Sequence, residues 1–191
     1  MESISSFAST SLGYVASAHL RPLYVVKIGS SSLKRQQVFA DIAAIASRGC
    51  RLLVVAGGAD GIAEHYRMLR RPMPMLRLSE GREVRYANVD EMPHIVRAYN
   101  AIILPRTVEG LRSHGLRVYA TTCFQSRLVT ARQIPPLRAT IRGRSMIVRD
   151  HLAGNICAVD VESVNAMLNA FQTVVISPPV SDLEGLGALN V

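Results

Sequence analysis

The sequence predicts an α/β fold, a three-layer sandwich around a mostly parallel sheet. Three observations carry this expectation. Leu23–Ile28, Leu52–Ala56 and Val174–Ile176 are short aliphatic, β-branched runs, closed in turn by Gly29, Gly57-Gly58 and Pro178-Pro179. Segments of helical period alternate with them, and apolar runs of this kind mark strands buried on both faces beneath helices. Finally, 49% of the 191 residues are hydrophobic and 19% charged, enough apolar surface for a real core.

The elements follow in order. Residues 1–21 are Ser-rich, hold one acid and one base, and read as a flexible N-terminal extension. They contain no long apolar stretch of the kind a secretory signal needs. Leu23–Ile28 is the first strand. Gln36–Ala46, with Val38, Ile42 and Ile45 on one side, is a helix stopped by Gly49. Leu52–Ala56 is the second strand, and Ile62–Leu69 the next helix. Asp90–Leu104 is helical and is expected to break at Pro105, with a further turn or two to a cap at Gly115. Val118–Thr121 is a short strand. Residues 126–149 lack helical period, carry Pro135-Pro136 and Arg142-Gly143-Arg144 as turn signals, and read as antiparallel hairpins. Val161–Phe171 is a helix before the last strand.

Charge narrows the function classes. The net charge is +8, and Arg106–Arg149 accounts for all of it, with nine Arg against the single acid Glu109. Such a field faces an anionic partner or is a solvated Arg-rich surface. With no Trp and 5% aromatics there is no stacking platform for single-stranded nucleic acid. No apolar run is long enough to cross a membrane as a helix. Cys50, Cys123 and Cys157 are odd in number and far apart, which suits a reducing compartment such as the cytoplasm. The five histidines show no metal-ligand spacing with Cys or acids, so no metal site is expected.

Two junctions could carry chemistry. In Val25-Val26-Lys27-Ile28-Gly29-Ser30-Ser31-Ser32 a Lys near the strand's carboxyl end is followed by a sharp glycine turn and three hydroxyls. That is an anion cradle, or simply a Ser-rich loop capping a helix. In Val54-Val55-Ala56-Gly57-Gly58-Ala59-Asp60 two glycines allow a ligand to approach backbone. Carboxyl strand ends are where open α/β sheets bind ligands, so two such junctions on successive strands favour phosphate.

VVKIGSSSL, LLVVAGGADGIAE, GREVRYANVDEM, IVRDHLAGNICAVDVESVNAMLNAF and VVISPPVSDLEGLGALNV, in this order and spacing, resemble the amino-acid kinase family over residues 22–191. They resemble most the branch that phosphorylates aminoadipate or glutamate held on an amino-group carrier protein, and the related N-acetylglutamate kinases. The resemblance implies transfer of the γ-phosphoryl of ATP, with Mg²⁺ as its counter-ion, to a side-chain carboxylate in arginine or lysine-type biosynthesis. It implies a cytoplasmic homodimer. It assigns Lys27 to the transferring phosphoryl group, and Gly29 and Ser30 to the phosphate path. Gly57 and Gly58 would offer N–H groups to phosphate and substrate, Arg85 would clamp the α-carboxylate, and Asn190 would sit at the amide end. An acidic carrier would dock on the 126–149 hairpins through Arg127, Arg132, Arg138, Arg142 and Arg144.

The departures from the family pattern are specific. Ser30 stands where a second glycine is usual, Ala56 where His is frequent, and Thr122-Cys123-Phe124-Gln125 where a Gly-x-Asp-Gly signal is usual. Only the N-terminal, acyl-substrate half is represented, and the Asp of the family's last motif would lie beyond Val191. The alternative is therefore a non-catalytic half-kinase that keeps an acyl pocket or a carrier-binding surface.

Overall fold

In the computed structural model, residues 21–141, 143–185 and 187–191 are described. The central sheet has the order β1-β2-β10-β5 and is parallel throughout: β1 (Leu23–Ile28), β2 (Arg51–Ala56), β10 (Thr173–Ser177) and β5 (Val118–Thr122). β2 and β10 lie in the middle, and all five β10 residues are buried. β1 is an edge, so its second side has no strand partner among the described residues.

One face of this sheet is covered by α1 (Gln36–Ala46), α2 (Ala59–Met68), α3 (Met92–Ala98) and α4 (Leu104–Arg112). Phe39, Ile42, Ile62, Tyr66, Ile95, Ile103 and Leu111 fill the layer beneath them, against Leu52, Val54 and Val175. The other face packs Val174 and Ile176 against Leu168 of α6 (Val161–Ala170) and against a small second sheet. That sheet has the order β12-β11-β6-β9: β12 (Ala188–Leu189), β11 (Val180–Asp182), β6 (Val129–Gln133) and β9 (Gly154–Val159). A third sheet, β4-β3-β7-β8, closes its own core of Leu76, Leu78, Ala139 and Val148. Its strands are β3 (Met75–Leu78), β4 (Glu83–Arg85), β7 (Leu137–Ile141) and β8 (Arg144–Val148). α5 (Cys123–Ser126) is a single turn between β5 and β6, with Thr122 accepting the Gln125 N–H as its cap.

Three expectations need correction. Pro105 does not break the helix. Tyr99–Ile103 forms a π-turn instead, in which the Leu104 N–H reaches back to the Tyr99 carbonyl, and α4 continues from there. Pro105 has no N–H to return to the preceding turn, and a widened turn absorbs that missing bond without ending the helix. Residues 126–149 are not one set of hairpins. Only β7 and β8 form a hairpin, whereas β6 pairs with β9 and β11 in a different sheet. The strands β3, β4, β9, β11 and β12 were not anticipated. The N-terminal extension, apart from Arg21, lies outside the described residues.

Candidate functional site

The two glycine junctions meet. A Cβ on Gly57 would lie 3.2 Å from the Ile28 carbonyl oxygen and 3.6 Å from the Ser30 nitrogen, so the loops after β1 and β2 touch backbone to backbone. They are also stitched by side chains. Ser30 Oγ accepts the Asp60 N–H at 3.0 Å, and Lys34 Nζ pairs with the Asp60 carboxylate at 2.8 Å. Hydrogen bonding from Lys34 holds the Asp60 carboxyl below the usual carboxylate range.

These contacts change what each junction can offer. The Gly57 N–H is already given to the Ile28 carbonyl at 2.8 Å, an extension of the β1–β2 ladder. Gly57 therefore has no free donor for phosphate or substrate in this arrangement, contrary to the expectation. Ser30 likewise spends its hydroxyl oxygen on the first turn of α2 and takes one of the orphan N–H groups that an anion would seek. Gly29 has nothing within 4 Å of a built Cβ and leaves the loop open. Lys27 is exposed and makes no ion pair among the described residues. Its register opposite Val55 puts it on the α6 side of the sheet.

Gly58 and Arg85 are linked through an aromatic ring. A Cβ on Gly58 would lie 2.4 Å from Tyr99 Cζ and 2.5 Å from its hydroxyl oxygen, so only glycine fits there. Tyr99 is buried, at 4% exposure. Burial pushes its phenol up to about 12, against the pull of the neighbouring Arg85 cation. Burial lowers the Arg85 guanidinium in turn, and the phenols of Tyr99 and Tyr66 oppose that. Arg85 Nε donates to Met73 Sδ at 3.4 Å, and the guanidinium pairs with no carboxylate among the described residues. Nearby arginines are paired: Arg71 with Glu91 at 2.6 Å, and Arg106 with Glu64 through both guanidinium nitrogens at 3.0–3.1 Å. Tyr66 also donates to Glu91. Glu91 is a buried acceptor tying α2, the loop before β3 and α3 together.

Other expected residues fall elsewhere. Asn190 gives its backbone N–H to Leu152 and its carbonyl to the Gly154 N–H, beside β9. Arg127 follows α5 with a left-handed backbone, φ 53°. Arg132 lies on β6 opposite Asn155. Arg138 lies on β7 opposite Ile147, and Arg144 on β8 opposite Ile141. Arg142 is outside the described residues. The four described do not form one surface, because they are split between two sheets and, within the β7–β8 hairpin, Arg138 and Arg144 take opposite faces. Arg138 shares its face with Thr140, hence with Arg77, Met75 and Arg85 across β3 and β4.

A groove of about 690 Å³ runs along α3, lined by Met92, Val96, Arg97, Asn100, Leu152 and Asp182 among others. None of Lys27, Gly29, Gly57, Gly58 or Arg85 lines it. His65 lies beside His94, with Nε2 to Nδ1 at 3.4 Å, and among the described residues no cluster of His, Cys, Asp and Glu could hold a metal ion.

The fold is a parallel sheet with glycine junctions at the carboxyl ends of its first two strands, and it carries an arginine, Arg85, that pairs with no carboxylate among the described residues. Residues 22–191 match the Amino acid kinase family, and the chain belongs to that family. It is 27% identical over 173 residues to a [LysW]-aminoadipate/[LysW]-glutamate kinase of Saccharolobus islandicus. That match takes in 88% of this chain and 64% of the relative. An Aeropyrum pernix protein provisionally named for the same activity is 31% identical over 171 residues, covering 87% of this chain and 63% of its own. The chain thus spans less than two thirds of these relatives. Among solved structures it resembles smu.665 from Streptococcus mutans, with TM-score 0.69 and 17% identity over 88% of this chain and 62% of that one. It also resembles N-acetylglutamate synthase from Neisseria gonorrhoeae, with TM-score 0.63 and 18% identity over 90% and 37% respectively. No helix among the described residues is long and apolar enough to cross a membrane.

Proposed function

We propose that this chain carries the acyl-substrate site of a kinase that transfers the γ-phosphoryl of ATP to the side-chain carboxylate of an amino-acid derivative, aminoadipate or glutamate, held on a carrier protein. The observation that carries the reading is Arg85. A partly buried guanidinium with no carboxylate partner among the described residues is costly, and one neighbouring Tyr99, the ring that packs on Gly58, is placed to be paid back by a ligand carboxylate. The open Gly29 turn would admit the phosphate, and phosphoryl transfer is mostly positioning and charge stabilisation. Lys27 supplies the cation for the transferring group, and Asn190 the amide end of the substrate.

The carrier docks on the face of the third sheet that holds Arg77 and Arg138, because Arg85 lies on the same face. Association with an acidic carrier should slow steeply between about 0.05 M and 0.3 M salt, where the Debye length drops from roughly 14 Å to 6 Å. Arg77→Glu with Arg138→Glu should slow it further.

Calorimetry with N-acetyl-2-aminoadipate tests the acyl site. Binding that Arg85→Ala abolishes and Arg82→Ala leaves intact is the expected result; equal binding by both variants would overturn it.

A second reading, an acyl-binding module without kinase activity, is favoured by the Gly57 N–H bonded to Ile28 and the Ser30 oxygen bonded to Asp60, which leave the phosphate cradle short of donors. ATP turnover that Lys27→Ala abolishes would exclude it.

A further inference from the structure

Tyr99 is a buried aromatic whose polar end has no partner among the described residues. Tyr66 donates to Glu91 and Tyr86 donates to Asp150, but the Tyr99 hydroxyl makes no hydrogen bond among the described residues. Nor is it among the sealed polar atoms of the interior that lack a partner, which are Arg51 Nε, Thr173 Oγ1 and Ser177 Oγ. The hydroxyl oxygen therefore faces reachable space. A buried phenol normally finds a partner, so an open one is an unfilled hydrogen-bonding position.

Its location is set by the backbone. Tyr99 opens the π-turn that accommodates Pro105, and its carbonyl takes the Leu104 N–H five residues on. The widened turn fixes how the residues before it are rotated relative to α4. The ring arrives over Gly58, where a single Cβ would come within 2.4–2.7 Å of three of its atoms. Tyr99 is also close enough to Arg85 for each to shift the other's proton affinity.

We propose that the Tyr99 hydroxyl is a substrate-binding donor: it hydrogen-bonds one oxygen of the ligand carboxylate whose other oxygen Arg85 holds, above the Gly58 backbone. The inference rests on the acyl-site reading of Arg85 given above. The phenol keeps its proton at neutral pH because burial disfavours the phenolate. It donates to the ligand oxygen, and the neighbouring guanidinium, which has no acceptor, favours a carboxylate over a carboxamide whose NH₂ it cannot receive.

The test compares N-acetyl-2-aminoadipate with its α-carboxamide by calorimetry, on the wild-type chain, Tyr99→Phe and Arg85→Ala. Tyr99→Phe keeps the ring that packs on Gly58 and removes only the hydroxyl. The expected result is a roughly ten- to hundredfold loss of affinity for the diacid, as for a hydrogen bond to a charged group. Affinity for the carboxamide and the melting temperature should barely change. Equal losses for both ligands would show a packing effect and overturn the inference, as would no loss. If Arg85→Ala abolishes binding while Tyr99→Phe matches wild type, the Tyr99 inference fails alone. If Arg85→Ala binds as wild type does, the acyl-site reading fails and takes the inference with it. No heat from either ligand with the wild-type chain overturns both.

Discussion

Gly58→Ala should destabilise the fold through one contact. The Gly58 backbone, at φ −121° and ψ 0°, is open to alanine, so no backbone strain arises. The added methyl would lie 2.4–2.7 Å from Cζ, Oη and Cε1 of Tyr99, well inside any real contact. The far end of a flexible side chain could swing away, but this ring is 4% exposed and packs in the main core. Forcing one methyl into such packing costs about 1–3 kcal/mol. For a chain of this size that is a fall in Tm of roughly 2–12 °C. Gly29→Ala is the matched control, because a Cβ there meets nothing within 4 Å and no positive φ is needed. Thermal unfolding by circular dichroism on the two variants should show a clear drop for Gly58→Ala and a change under about 1 °C for Gly29→Ala. Equal melting of Gly58→Ala and wild type would mean that the Tyr99 ring is free to move, and the tight Gly58–Tyr99 contact would be wrong.

Glu91→Gln removes the carboxylate that accepts from both Tyr66 and Arg71, and should lower stability by about 1–3 kcal/mol in a urea titration; a midpoint shift under about 0.3 M would contradict the tie it makes. Burial lowers both His65 and His151 below 6.5, so the unfolded chain takes up protons before the folded one as the pH falls. Stability should therefore be flat above about pH 7 and decline below 6.5 until the folded-state values are passed; His65→Gln with His151→Gln should flatten that slope, measured as Tm against pH. Arg127 holds a left-handed φ of 53° that costs an L-residue about 1 kcal/mol, so Arg127→Gly should raise Tm by a few degrees, and a fall would show that its side chain matters more than its backbone.

The central sheet was legible because parallel strands covered on both faces must be apolar along their whole length, as Leu52–Ala56 and Val174–Ile176 are. β3 and β4 were not, because Met75–Leu78 and Glu83–Arg85 are short, half-exposed and rich in charge, and such runs have no distinctive pattern. β9 is hidden for a different reason: Gly154–Val159 carries no charge, but five of its six residues are exposed, so it shows neither a buried run nor an in–out alternation. At the site, Gly57 and Gly58 look equivalent in sequence. Only the pairing of β1 with β2 shows that one N–H is consumed and the other position is closed by a ring. Tyr99 had no signal of its own, since a tyrosine in an apolar helical stretch reads as core. Pro105, directly after that stretch, was the nearest clue, taken as a break when it marks a change of pitch.

β1 has a consequence for handling the protein. Leu23, Tyr24 and Val25 are 42%, 50% and 63% exposed on a strand whose second side has no strand partner among the described residues. Unpaired N–H and C=O groups beside apolar side chains form a template for adding another strand. Lys27 is the only charge along it, a single gatekeeper against self-association. Concentrated solutions should therefore grow oligomers through this edge, faster as salt screens Lys27. The amide protons on the open side of β1 should exchange with deuterium long before those of β2 and β10, whose neighbours hold them on both sides.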